Sequence, residues 1–259
     1  MNIDFHVHGL LSKKRDFNEN FFLEEINSAK ENNIDGIILC EHFQAVAFND
    51  IYRYLEVNYH YKDGRYLVNG ISIFPAMEIS IKDGGHIILA SGIDAIIELH
   101  EILMKNVEKE NFIQFEDLLN LGDRYNCFKI GAHPFRKGQK LSKKPNELLC
   151  RLDCLELNAK DIYKKGEIEV KEKVISLAEK VDKPMVGGSD SHTPLQIGAI
   201  KTKMGRECCN VTDIKEAIKN NCDVEVSSSL EFKVFTSKIL KRYLSATVRN
   251  YNSETSFRI

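Results

Sequence analysis

Seven short apolar runs, rich in β-branched residues and separated by stretches of helical periodicity, constrain this chain more than any other feature. They cover 3–8, 36–42, 71–79, 86–91, 128–133, 154–158 and 184–189. Strands alternating with helices predict strand–helix units and a parallel sheet. Runs that are apolar at nearly every position suit strands covered on both faces. Among the intervening stretches, 20–32 places Phe22, Ile26 and Ala29 on one face and 115–125 places Leu118, Leu119 and Gly122 together. The stretch 167–180 gathers Val170, Val174, Leu177 and Ala178. All three follow the 3.6-residue period. A last helix is expected from Asp213, leading into a short edge strand at 224–226. Two stretches read as irregular: 43–69, a loop or short helix over the sheet, and the Lys-rich 135–146, an exposed loop. At 259 residues the chain can close into one α/β barrel.

Bulk properties remove several function classes. The net charge of −2 gives no global basic field for nucleic acid. No apolar run is long enough to cross a membrane, and the first residues lack the pattern of a secretory leader. Seven cysteines without a C-x-x-C pair read as reduced thiols, so a cytoplasmic location is expected. The chain divides into 1–229, the barrel with its closing segment, and 230–259, a basic helix and tail. The tail carries Lys233, Lys238, Lys241, Arg242, Arg249 and Arg258. Its first half reads as an amphipathic helix packed on the barrel, and from Asn250 it is polar and expected to fray.

The chemistry lies at the ends of the runs. Side chains alternate along a strand, so Ile3, Phe5 and Val7 are expected on one face and Asp4, His6 and His8 on the other. Glu41 and His42 end the second run, Glu78 lies near the end of the third, His133 ends the fifth, and Asp190 and His192 follow the seventh. Five of the eight histidines (His6, His8, His42, His133 and His192) sit at such ends. In an α/β barrel the carboxyl ends form one face, where active sites assemble. His86 stands apart because it begins its run, and Gly84-Gly85 before it permits a sharp turn. Imidazoles mixed with carboxylates suit Zn, Mn or Fe rather than Ca or Mg. The donors outnumber what one ion uses, so two or three divalent ions are expected, with a carboxylate such as Glu78 as a bridge. Paired ions about 3.5–4 Å apart serve phosphate-ester hydrolysis by lowering the pKa of a bound water from about 15.7 to about 7. Arg136, three residues after His133, is the candidate for gripping a phosphate. His60 and His100 have no motif around them and read as structural or surface residues.

Asp4-x-His6-x-His8, Glu41-His42, the Glu78 strand, Gly85-His86, Gly131-x-His133-Pro134 and Gly188-Ser189-Asp190-x-His192, in that order, resemble the PHP (polymerase and histidinol phosphatase) family. The resemblance covers roughly residues 1–200, and 193–229 is similar to the segment that closes such domains. It implies a distorted seven-stranded (β/α)7 TIM-like barrel, a trinuclear metal site and phosphoesterase activity. Carried over by motif, His6, His8, Glu78 and Asp190 would hold the first ion. Glu78, His86 and His133 would hold the second, and His42 and His192 the third. The sequence departs from the family at Cys40-Glu41-His42, where Thr-Asp-His is usual. It also lacks the His that often follows the first motif, with only Asp16 nearby. Glu41 would then ligate or orient His42, and Asp4 would fix a ligand imidazole or be held by backbone amides.

The donors and the resemblance lead to the expectation of a metal-dependent hydrolase in which metal-activated water attacks a phosphate ester, most simply a small phosphomonoester. His192, Asp190 and Glu78 are the expected catalytic residues, with His192 or an adjacent group protonating the leaving oxygen. The alternatives are a phosphodiesterase or nuclease, for which the basic tail argues, and a non-catalytic or amidohydrolase-like metal barrel.

Overall fold

The computed structural model describes residues 1–220 and 222–255, with side chains through residue 247. In chain order its elements are β1 (Asn2–Val7), α1 (Glu19–Glu31), β2 (Gly36–His42), α2 (Phe48–Asn58), β3 (Tyr61–Lys62), β4 (Arg65–Val68), β5 (Ile71–Ser80) and β6 (His86–Ala90). There follow α3 (Ile93–Leu103), α4 (Phe115–Arg124), β7 (Phe128–Ala132), α5 (Asn146–Leu149), β8 (Cys154–Asn158), α6 (Ala159–Lys165), α7 (Glu167–Val181) and β9 (Met185–Gly188). The chain ends with β10 (Ile200–Met204), α8 (Val211–Asn220), β11 (Cys222–Val226) and α9 (Leu230–Thr255).

All seven expected runs are strands. They form one sheet in the order β11-β10-β1-β2-β5-β6-β7-β8-β9. A bridge from Val7 to Ser191 returns the chain after β9 to β1, so the nine-stranded path nearly closes into a TIM-like barrel. Two further strands lengthen the path as antiparallel additions beside β1: β10, which was not expected, and β11, which contains the expected edge strand at 224–226.

The expected all-parallel order fails at one strand. β6 runs antiparallel to both β5 and β7, with His86 opposite Ser80 on one side and Ala132 on the other. The start of β6 therefore lies at the carboxyl ends of its neighbours. The stretch 43–69 is also more regular than expected: it forms α2 and the β3–β4 hairpin. Asp63 and Gly64 turn that hairpin with φ of 54° and 97°, the backbone an Asp-Gly two-residue turn adopts.

The barrel interior is filled by Ile3, Phe5, Ile38, Phe74, Ile88, Phe128, Ile130 and Val186. Val211, Ile214, Ala217 and Ile218 of α8 pack on the same cluster. Lys215 of α8 donates to the Cys127 carbonyl and pairs with Asp153, residues just before β7 and β8, so α8 closes the amino-terminal end. The outer faces bear Ile37, Leu39, Ile73, Ile87 and Leu155, which pack with residues of α1, α2, α3, α4 and α7. Asn18 caps α1 by accepting from the Phe21 amide at 2.9 Å. Leu230 and Val234 join α9 to the core. The helix continues through Thr255, past the expected fraying point; Arg258 lies outside the described residues.

β1 carries the feature that shapes the site. Asp4 pairs with Ile37 and Val7 with Leu39, so three steps on β1 face two on β2. This extra residue is a β-bulge, and a bulge switches the face that later side chains use. Ile3 and Phe5 face the interior, whereas Val7 joins the outer layer. His6 and His8 thereby face inward above Phe5. Strict alternation, as expected from the sequence, would have placed Ile3 and His6 on opposite sides.

Candidate metal centre

Glu78 stands at the middle of the carboxyl-end face. Its Oε1 lies 2.7 Å from His86 Nδ1 and 2.9 Å from His133 Nε2, and its Oε2 lies 2.9 Å from His42 Nδ1. His6 Nε2 and His8 Nε2 are 3.7 and 3.6 Å from the same Oε2. Asp190 Oδ1 lies 3.9 Å from His6 Nε2 and 3.5 Å from His8 Nε2. Among the described residues, donor atoms within 4.8 Å of one another form four groups: His6/His8/Asp190, Glu78/His86/His133, His8/His42/His192 and His6/His133/Glu156. The antiparallel β6 brings His86 here from the start of its strand, so the one histidine that broke the sequence pattern joins the others.

Several backbones are held unusually. His133 has φ 32° and Asp190 φ 54°. Such conformations cost non-glycine residues of order 1–3 kcal/mol and cluster at functional sites. Gly188 is required for a different reason: a Cβ there would stand 2.6 Å from His6 Cβ and run into the Glu156 carboxylate.

The electrostatics follow from burial and pairing. Burial would raise the Glu78 carboxyl, but His86, His42 and His6 hold it well below the ordinary range. Burial opposes ionisation of Asp190 too, and Lys160 and Arg136 outweigh it. Burial and the charge of Arg136 depress His133 to about 3. Burial and Lys160 push His192 well below 6.5. Burial works against a charged His6, yet Glu156, Asp190 and Glu78 raise it.

The donor set fits divalent ions. His6 Nε2 and His8 Nε2 face one another at 3.1 Å, and His8 Nδ1 and His133 Nδ1 are buried without hydrogen-bond partners. Imidazoles packed this closely with carboxylates are the donors that Zn, Mn or Fe take.

Other expected residues are placed differently. Glu41 is absent from the donor groups. Its Oε2 accepts from the Leu10 amide at 3.1 Å, its Oε1 from the His42 amide at 2.9 Å, and it lies 3.4 Å from His8 Nδ1; it orients rather than joins the cluster. Asp4 accepts from the amides of Ser189 and His6 at 2.9 and 3.2 Å and touches no imidazole. Asp16 is exposed. Arg136 does not present a free fork to solvent. It donates to Asp190 and Asn158 at 2.6 Å each and to Asp161 at 3.2 Å. His100 stacks on Phe48 at 4.0 Å, and His60 is exposed.

Sequence reasoning missed Glu156, Lys160 and Gln139. Glu156 Oε1 lies 3.0 Å from His6 Nδ1 and Oε2 accepts from the His133 amide at 2.7 Å. A carboxylate on Nδ1 leaves Nε2 free as a donor to a metal. The signal was present: Glu156 interrupts an apolar strand on the same face as Asn158. Lys160 Nζ lies 2.8 Å from Asp190 Oδ1 and 3.3 Å from His192 Nδ1. Gln139 donates toward His86 Nε2 at 3.2 Å. Neither residue has a local signal, because loop and helix packing bring them in.

Fold and site together define an α/β barrel with clustered metal-type donors at its carboxyl end. A family model described as PHP-associated matches residues 169–221, which include Asp190 and His192. No curated protein matches the sequence. Among solved structures, PsfC from Pseudomonas syringae PB-5123 is 22% identical with a TM-score of 0.79, over 94% of this chain and 98% of that one. The lesion-specific endonuclease PfuEndoQ from Pyrococcus furiosus is 18% identical with a TM-score of 0.61, over 87% of this chain and 57% of its own; Endonuclease Q is also known in complex with a 27-mer duplex bearing an abasic lesion. A two-domain Bacteroides vulgatus protein containing a predicted PHP-like metal-dependent phosphoesterase is 16% identical with a TM-score of 0.58, over 87% of this chain and 64% of that one. At these identities the likeness establishes the fold. The PHP-associated match adds a family likeness for the segment 169–221. Among the described residues no helix is long and apolar enough to cross a membrane.

Proposed function

We propose that this protein is a metal-dependent phosphoesterase acting on a small phosphomonoester. The observation that carries the reading is the convergence of His42, His86 and His133 on the two oxygens of Glu78, within 2.7–2.9 Å, beside the His6/His8/Asp190 group. His6, His8, Asp190 and Glu78 would hold one ion, Glu78, His86 and His133 a second, and His42 and His192, with His8 beside them, a third. Bound divalent ions supply the charge that ionises a water near neutral pH and stabilises phosphoryl oxygens.

The chain's own residues set up that chemistry. Glu156 turns His6 so that Nε2 faces the cluster, and the Glu41 carboxylate stands 3.4 Å from His8 Nδ1. Arg136 and Lys160 hold the two oxygens of Asp190. His192 stands with His8 and His42 in one donor group, so we assign it to holding metal rather than to protonating the leaving oxygen. Lys160, which pairs with Asp190 Oδ1 and lies 3.3 Å from His192 Nδ1, is our candidate for meeting the substrate phosphate with an ammonium donor that Asp190 leaves free.

A second reading, phosphodiester cleavage, is supported by the basic helix α9, whose Lys241 lies close enough to Lys160 and Asp190 to feel their charges, and by the fold shared with a DNA endonuclease. Elemental analysis with hydrolysis of an aryl phosphate and a bis-aryl phosphodiester, with Mn and Zn in turn, separates the readings. Two or three metals per chain with monoester turnover is the expected result. Diester preference would favour the second reading, and neither metal nor turnover would overturn both.

A further inference from the structure

Beside the cluster, on the β6 side, lies a cleft of about 660 Å³. His86 and Gln139 line it, so it is continuous with the metal centre. Ile81 and Phe112 give it apolar surface, and Lys109 and Lys140 are exposed along it. This wall is built rather than incidental. Gly85 N donates to Gln139 Oε1 at 2.9 Å, and Gln139 Nε2 lies 3.2 Å from His86 Nε2. Gly84 takes the positive φ of 93° that the turn before His86 requires, and the Lys140 stem lies over it. The cleft therefore has a fixed position relative to the cluster. Its charge is mixed, with Lys82, Lys109 and Lys140 against Asp83 and Glu110. Lys82 is occupied by the Glu110 carbonyl, leaving Lys109 and Lys140 to face a ligand.

A substrate whose phosphate sits at the cluster must direct its remaining atoms somewhere, and this volume is within the range of ligand pockets. We propose that the cleft holds the leaving-group portion of the substrate, and that Lys109 and Lys140 bind a second anionic group on it, a phosphate or a carboxylate. The inference rests on the phosphoesterase reading and narrows it to doubly anionic small molecules.

The test is calorimetric titration of the Mn-supplemented protein with butyl phosphate and with the four- and six-carbon alkane-α,ω-diyl bisphosphates. At least one bisphosphate should bind ten times more tightly than butyl phosphate, and the K109A/K140A double variant should erase that difference. Both lysines are exposed, so the variant keeps its fold, checked by thermal melting. Equal affinity for the mono- and bisphosphates, or a preference that survives in the double variant, overturns the proposal. Aryl phosphate hydrolysis on the same samples reads the parent function separately: a lysine-dependent preference without any turnover would sink the phosphoesterase reading and leave the anion cleft standing.

Discussion

The amino-terminal half of the barrel interior and its carboxyl-terminal half are made by the same strands. Below, Ile3, Phe5, Ile38, Phe74 and Phe128 pack in one apolar cluster with α8. Above, at the carboxyl-end face, the same sheet turns in His6, His8, Glu78 and Glu156, all buried, and His42 and His86, half-buried. Each buried phenylalanine in the lower half contributes roughly 1.5–3 kcal/mol. Each buried ionisable group in the upper half costs free energy unless it is paired or holds a metal. The lower half thus holds the fold, and the upper half is a place where the fold carries strain and desolvation for chemistry.

The largest effect should come from the upper half. Glu78→Gln removes charge from the acceptor shared by His42, His86 and His133, and turnover of an aryl phosphate should fall on the order of 10³-fold or more, with metal content dropping in elemental analysis. Full activity in that variant would show that the cluster is not the reactive site. Next comes the lower half: Phe128→Ala should cost about 3–5 kcal/mol of stability in urea denaturation while metal content per folded chain is retained. Loss of metal at unchanged stability would erase the division between the halves.

Arg136 sharpens the boundary between holding metal and holding substrate. Because its donors go to Asp190, Asn158 and Asp161, Arg136→Met should weaken metal affinity about 10–100-fold with little change in KM once metal is saturating. A rise in KM alone would return Arg136 to phosphate binding. The smallest effect belongs to His100, outside the donor groups. Burial lowers its pKa below 6.5, although its hydrogen bond to the Phe43 carbonyl opposes this. The folded state then binds fewer protons than the unfolded state just below pH 6.5, so stability is full above that pH and declines as pH falls. His100→Gln should flatten this part of the pH–stability curve, and an unchanged slope would assign it to other groups.

Much of this was legible in the residues. Apolar runs and helical periods located all seven central strands and helices α1, α4 and α7, because burial on two faces leaves a composition that no loop shares. The donors were legible as well, since His, Asp and Glu at strand ends stand out against apolar runs. The hairpin at Tyr61–Val68 was missed although Asp63-Gly64 marks its turn, and Glu156 was missed although it interrupts an apolar strand.

The sequence by itself determined which elements form and which residue types reach their ends. Tertiary structure alone decided the direction of β6 and the bulge in β1, which turn His86, His6 and His8 toward Glu78. It also decided that Arg136 faces Asp190, and that Lys160 and Gln139 reach the cluster. The physical reason is that periodicity records whether a side chain is buried, whereas strand direction, a one-residue register shift and the partner of a long side chain depend on neighbours distant in the chain.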